Sequence, residues 1–225
     1  LVSLAEGLIE GTPNGIKCDP ESGLIFSPAH FTWMDTNYPA GTPREGYPIE
    51  IQALWHAALR FLASALPDDE AARWSALADQ VKESFEKYFI RPDLLYLSDC
   101  LHATRGTPAS QALADDHLRP NQLLAITLGL VTDKTLCSRI LFATSTLLTP
   151  GAIRTLADRP VKYPLPIIGR GGMPLNDPLH PYRGHYVGDE DTSRKVAYHN
   201  GTAWTWQFPL WPEAYYKVHK AFGRD

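Results

Sequence analysis

The chain has 225 residues, of which 44% are hydrophobic and 20% charged, and its formal net charge is −4. That length supports one large domain with a real hydrophobic core. The mildly acidic balance lacks the electrostatic footprint of a nucleic-acid or anionic-membrane binder, and no run approaches the roughly 20 apolar residues of a membrane span.

The first residues, LVSLAEGLIEG, carry neither the basic n-region nor the small-residue cleavage site of a signal peptide. They also lack an initiator Met, so the chain is expected to be processed or to be a piece of something longer, with a helical remnant at 1–10. Cys18, Cys100 and Cys137 are far apart and odd in number, with no C-x-x-C pair. Free thiols are therefore expected, buried or half-buried, in keeping with a reducing cytoplasm.

Next comes FTWMDTNYPAGTPREGYPIEIQALW, residues 31–55. On residue chemistry alone, Asp35-Thr36-Asn37 reads as a locally capped turn. A second reading is open. Trp33 and Met34 would make the surroundings of Asp35 apolar, and a desolvated carboxyl holds its proton as a general acid must. Arg44 and Glu50 flank the turn that follows. Pro48 suits a first helical position and Glu50 a first turn, where the helix dipole favours a carboxylate. Glu50 could equally point into a loop face and bind hydroxyls.

Residues 49–66 have helical spacing at Leu54, Ala57, Ala58, Phe61, Leu62 and Ala65. Pro67 closes that segment, and Asp68-Asp69 open a second helix over 69–89, with Leu77, Val81, Phe85, Tyr88 and Phe89 on one face. So short a connection predicts antiparallel packing. Further helices are predicted at 121–130, at 134–148 behind Thr132-Asp133, and at about 203–221, interrupted by Pro209 and Pro212. Segments 93–119 and 149–202 are rich in Gly, Pro, Asp, Tyr and His, with a short strand expected at 94–98. Long loops of this kind tend to carry function. The pattern predicts antiparallel helix pairs whose long loops share one face, and no fixed-period repeat is present.

Two more clusters carry chemistry. ADDHLRPNQ, ending at Gln122, places Asp115, Asp116, His117, Arg119, Asn121 and Gln122 around Pro120. It reads as helix capping in a solvated loop, or as hydrogen bonding for a polyhydroxylated ligand. YHNGTAWTW, 198–206, offers His199, Asn200, Trp204 and Trp206 as a stacking platform, or as an aromatic-packed helix start. Its Asn-Gly-Thr sequon is discounted because it runs into an apolar helix. Nucleotide-binding Gly motifs, G-x-S-x-G and H-E-x-x-H are absent from the sequence, and no histidine spacing suggests a metal. No metal and no organic cofactor are expected.

TWMDT at 32–36, TPREGYPIEIQALW at 42–55, LRPNQLLAITL at 118–128 and YHNGTAWTW at 198–206 occur in this order. Together with PYRGHYVGD at 181–189 they resemble the amylo-α-1,6-glucosidase part of glycogen debranching enzymes, over nearly the whole chain. The resemblance implies an all-α fold, an (α/α)6 toroid, here incomplete, so that 1–225 would be one partial catalytic domain. It implies an inverting glucosidase acting on α-1,6 branch stubs of glycogen or limit dextrin, in the cytoplasm, with α-glucans including maltooligosaccharide as its partners. The general acid then falls on Asp35, and Trp33, Arg44, Glu50, Arg119, Asn121, Gln122, His199 and Trp204 would line the glucose site.

Inversion also needs a carboxylate base roughly 6.5–9.5 Å from the acid. Where eukaryotic members resemble His-Gln-Gly-Pro-Glu-Trp, this chain has Ala203. Glu213 is the in-chain candidate, and the base is otherwise expected outside these residues. An incomplete toroid would expose apolar helix faces, so residues 1–225 alone are expected to be inactive and to aggregate or partly unfold. The alternatives are a trehalase-, glucoamylase- or glycoside-phosphorylase-like enzyme, or a non-catalytic glucan-binding module.

Overall fold

The structure, a computed structural model, describes residues 1–221. Among these residues seven α-helices form: α1 (Val2–Glu10), α2 (Ile49–Ala65), α3 (Asp68–Phe89), α4 (Leu123–Thr127), α5 (Lys134–Ser145), α6 (Lys195–Tyr198) and α7 (Leu210–Ala221). Between them run eight short strands: β1 (Lys17–Cys18), β2 (Ile25–Phe26), β3 (Gly46–Pro48), β4 (Cys100–His102), β5 (Leu113–Ala114), β6 (Leu148–Thr149), β7 (Ala152–Arg154) and β8 (Ala203–Trp204). These make three small antiparallel sheets, β1-β2, β3-β4-β5 and β6-β7-β8.

The expected all-α toroid is therefore overturned. The described residues are 43% helical, short 3-10 and π turns included, and the fold is mixed α/β, because short stretches of the long inter-helix segments pair as strands. The strand expected at 94–98 reduces to one bridge, Ile90 to Leu97. The helix expected from 203 starts at Leu210, since Ala203 and Trp204 pair with Arg154 and Ile153. The helix expected over 121–130 is a 3-10 turn at Pro120–Gln122 leading into five α-helical residues.

The α2–α3 hairpin forms as its spacing predicts. Arg60 on α2 reaches Ser75 and Asp79 on α3 across the Pro67 turn, as antiparallel packing requires. α3 buries Trp74, Ala78, Val81, Phe85 and Phe89. α2, however, buries Ile49, Ala53, His56, Leu59 and Leu62 and leaves Leu54 and Phe61 exposed. It is apolar nearly all round, so its period is readable but its phase is not. α5 starts at Asp133, whose carboxylate accepts a hydrogen bond from the Leu136 amide at 2.7 Å. Its Leu136, Ile140, Leu141 and Thr144 are buried, and Leu148 instead starts β6.

All three cysteines are free and buried. No helix among the described residues is long and apolar enough to cross a membrane.

Candidate functional site

The site is built backwards from a buried charge network. Arg44, just before β3, meets Glu50 in the first turn of α2 through two hydrogen bonds of 2.6 and 2.8 Å. Its Nε lies 2.8 Å from Asp99 Oδ2, and Arg119 Nε lies 3.5 Å from the same oxygen. Both are ion pairs without hydrogen-bond alignment. Two buried carboxylates thus face two buried guanidiniums, where unpaired charge would be very costly. Burial lowers the Arg44 pKa, but Asp99 and Glu50 outweigh it and push it well up. Burial pulls Arg119 down to about 10.

Asn121 carries this network to the surface. Its Nδ2 donates to Asp99 Oδ1 at 2.8 Å, and its Oδ1 accepts from both Trp33 Nε1 and Gln207 Nε2 at 2.9 Å. Pro120 starts the turn that holds Asn121 inward. The Trp33 ring is therefore fixed by a chain running Glu50, Arg44, Asp99, Asn121, Trp33.

Arg119 ties in the last motif. It donates to the carbonyls of Thr155 and His199 and, at 2.9 Å, to Asn200 Oδ1. Asn200 Nδ2 in turn reaches Thr42 Oγ1 and the Val196 carbonyl. The sequon asparagine is thus fully enclosed, held by hydrogen bonds rather than by the expected helix. His199 is also buried, and burial with Arg119 and Arg44 lowers its pKa to about 3, so its ring is neutral. Its Nδ1 sits 3.1 Å from Thr36 Oγ1, and its Nε2 has no protein partner.

On the outer side the aromatic rings form a continuous strip. Trp206 meets Trp33 edge-on at 4.9 Å, Trp33 meets His199 at 5.1 Å, and His199 meets Tyr198 at 4.7 Å. Tyr198 touches both Trp204 at 4.7 Å and Tyr186 at 5.4 Å. Trp204 is anchored by Nε1 donating to the Tyr198 carbonyl at 3.0 Å. Asp35 lies beside this strip. Burial, then Tyr186, then the Asp35 charge push the Tyr198 phenol pKa up.

Most of the residues singled out in the sequence therefore converge, but in different roles. Asp35 is solvent-exposed, whereas Trp33 and Met34 were expected to desolvate it: Met34 turns into the core and Trp33 turns to Asn121. Arg44 and Glu50 are buried on each other rather than aimed at a loop face. Gln122 supports backbone, accepting from the Leu97 amide and donating to the Arg119 carbonyl. Glu213 does not join the group: it is exposed on α7 and pairs with Lys217 at 3.2 Å. Asp99, Tyr198 and Gln207 were not singled out. The signal for Asp99 was a lone carboxylate inside the apolar run LLYLSDCL.

Cavities are present away from this strip. Two of about 590 Å³ are lined, respectively, by Lys17, Asp19, Tyr47 and Arg105, and by Tyr96, Leu118, Phe142 and Arg159.

A family model described as amylo-alpha-1,6-glucosidase matches residues 1–224. A curated relative, the glycogen debranching enzyme of Saccharomyces cerevisiae, is 26% identical over 251 residues, covering 91% of this chain and 15% of that protein. The chain thus spans about 15% of the length of the relative it matches. With the match running through every motif that builds the network and the aromatic strip, the chain belongs to the amylo-alpha-1,6-glucosidase family.

Proposed function

We propose that the chain supplies the acid half of a glucosidase site that releases glucose from α-1,6 branch stubs of an α-glucan, with inversion at the anomeric carbon. The observation that carries this reading is Asp35: a solvent-facing carboxyl beside a strip of edge-packed aromatic rings, with Trp33 two residues away. Aromatic faces stack on sugar rings, and a sugar laid there would displace water from the carboxyl. Asp35 then donates its proton to the glycosidic oxygen as the bond to the anomeric carbon breaks. A water on the opposite face, deprotonated by a second carboxylate, forms the new bond.

Glu50, Arg44, Asp99 and Asn121 fall behind Trp33 as its support, so they position the platform rather than touch sugar. His199, neutral and buried between the Trp33 and Tyr198 rings, holds the strip in place rather than touching sugar. The base is proposed to come from another part of the full-length protein, because Glu213 is engaged with Lys217 on α7.

The test is Asp35→Asn in the full-length protein, with free glucose from a branched limit dextrin as the readout. Loss of a general acid is expected to lower release by about 10²–10⁴-fold; near-normal release overturns the reading. A second reading, a glucan-binding module without catalysis, draws on the half-exposed Trp206 at the end of the strip. Binding of maltooligosaccharide without any hydrolysis by the full-length protein would favour it.

A further inference from the structure

A second cluster lies on the far side of Asp99 from the aromatic strip. Asp115, just after β5, is completely buried. Its Oδ1 accepts from the amides of Asp99 and Cys100, at 2.8 and 3.3 Å. Its Oδ2 is faced by two imidazole nitrogens, His102 Nε2 at 3.0 Å and His117 Nδ1 at 3.2 Å. The pairing of β4 with β5 sets His102 opposite Leu113 and so brings the three together. No sequence spacing announces this.

The outer contacts are those of a ligand set. The other nitrogen of His117, Nε2, lies 3.0 Å from the Tyr163 carbonyl, where it donates. That bond leaves the Nδ1 lone pair aimed at Asp115 Oδ2, and two lone pairs at 3.2 Å repel unless a positive centre lies between them. The His102 ring is held by stacking on Tyr163 at 4.3 Å with an 11° tilt. The two spacings to Asp115 Oδ2, 3.0 and 3.2 Å, are close to the roughly 3.3 Å that separates two atoms about 2.05 Å from one tetrahedral ion, and all three ligand atoms lie within 4.8 Å of one another. Charge agrees as well. Glu50 and Asp99 are matched by Arg44 and Arg119, so the imidazoles are the facing groups left to compensate Asp115.

We propose that His102, Asp115 and His117 form a structural site for a divalent transition-metal ion of the zinc type, closed by solvent on the half-buried His102 side. Two imidazoles and one carboxylate are a donor set that such ions favour over calcium or magnesium. Through the Asp99 and Cys100 amides the ion would brace the segment that carries Asp99, and hence the support behind Trp33. The competing arrangement fills the same gap with a proton. Burial pulls the His117 pKa down and Asp115 outweighs it, favouring an imidazolium when no ion is present.

The experiment is a titration of the chelator-stripped full-length protein with Zn²⁺ by calorimetry and with Co²⁺ by visible absorption. The expected result is one equivalent bound at submicromolar Kd, with Co²⁺ d–d bands of low-coordinate N/O ligation. His117→Gln and His102→Gln are each expected to weaken binding at least about 100-fold. The Co²⁺ spectrum of the unaltered protein needs no variant to fold. No stoichiometric binding, or unchanged binding and spectrum in both folded variants, overturns the proposal and leaves the imidazolium. Loss of activity in Asp35→Asn does not bear on this result, so the two readings fail separately.

Discussion

Arg44 meets Glu50 fork to fork across the start of α2, Nη1 to Oε1 at 2.6 Å and Nη2 to Oε2 at 2.8 Å, with each side chain only 3% exposed. Breaking such a buried pair from one side strands a charge. Glu50→Ala is therefore expected to cost about 3–5 kcal/mol, read from urea midpoints. Glu50→Gln keeps an acceptor and should cost clearly less. Equal, small effects of both would mean that the pair is not held as described.

The aromatic strip separates binding from stability. Trp206 is 51% exposed, and its ring touches Trp33 edge-on. Trp206→Ala should leave stability within about 1 kcal/mol while weakening maltooligosaccharide binding about tenfold, as calorimetry can measure. Trp33→Phe removes the indole donor to buried Asn121 Oδ1 and should cost about 1 kcal/mol, with a larger loss in glucose release than in saccharide affinity.

Gly46 makes a sharp steric prediction. Its φ is +127°, and an added Cβ would lie 2.1 Å from the Leu101 carbonyl oxygen and 2.7 Å from the Ala103 amide nitrogen. Gly46→Ala must break the β3–β4 pairing that leads into Glu50, and is expected to lose several kcal/mol or the fold. Gly106 also has positive φ, +87°, but nothing lies within 4 Å of its added Cβ. Gly106→Ala should cost only about 1 kcal/mol. Thermal melts of the two variants check the contrast.

Two buried histidines set an acid limit. Burial, then Arg60 and Lys82, lowers His56 to about 4; burial, then Arg119 and Arg44, lowers His199 to about 3. Both are depressed below the unfolded value of about 6.5, so the unfolded chain binds more protons between those limits. Stability is fully present above pH of about 6.5 and falls as pH drops towards 4 and then 3. Each histidine contributes a slope of up to about 1.4 kcal/mol per pH unit. Urea unfolding of His56→Gln across this range should show a shallower slope than the parent.

The helices were legible because their apolar period repeats over several turns. The α2–α3 hairpin and α5 appear where the spacing puts them. What failed was anything decided by partners far along the chain. Strands of two or three residues carry no alternation to read, and Gly46 pairs with His102 and Ala203 with Arg154. The exposed face of α2, with Leu54 and Phe61, is as apolar as the buried one. For the site, the motifs marked Trp33, Asn121 and His199, which do converge. They could not distinguish a residue that meets sugar from one such as Glu50, whose oxygens are both taken by Arg44. Asp99, which joins Arg44, Arg119 and Asn121, had no motif of its own.

The buried cysteines give the molecule a built-in clock. Cys18 lies in β1, Cys100 in β4 and Cys137 in α5, in three separate parts of the fold. Burial pushes the Cys18 and Cys137 thiols up to about 11 and Cys100 well up, so none offers a reactive thiolate while its surroundings stay closed. Modification of each by a thiol reagent then proceeds only as fast as its own element opens. Three labelling rates in one sample would rank the local stabilities of the β1-β2 hairpin, the sheet behind the site and a core helix, with no probe added to the chain.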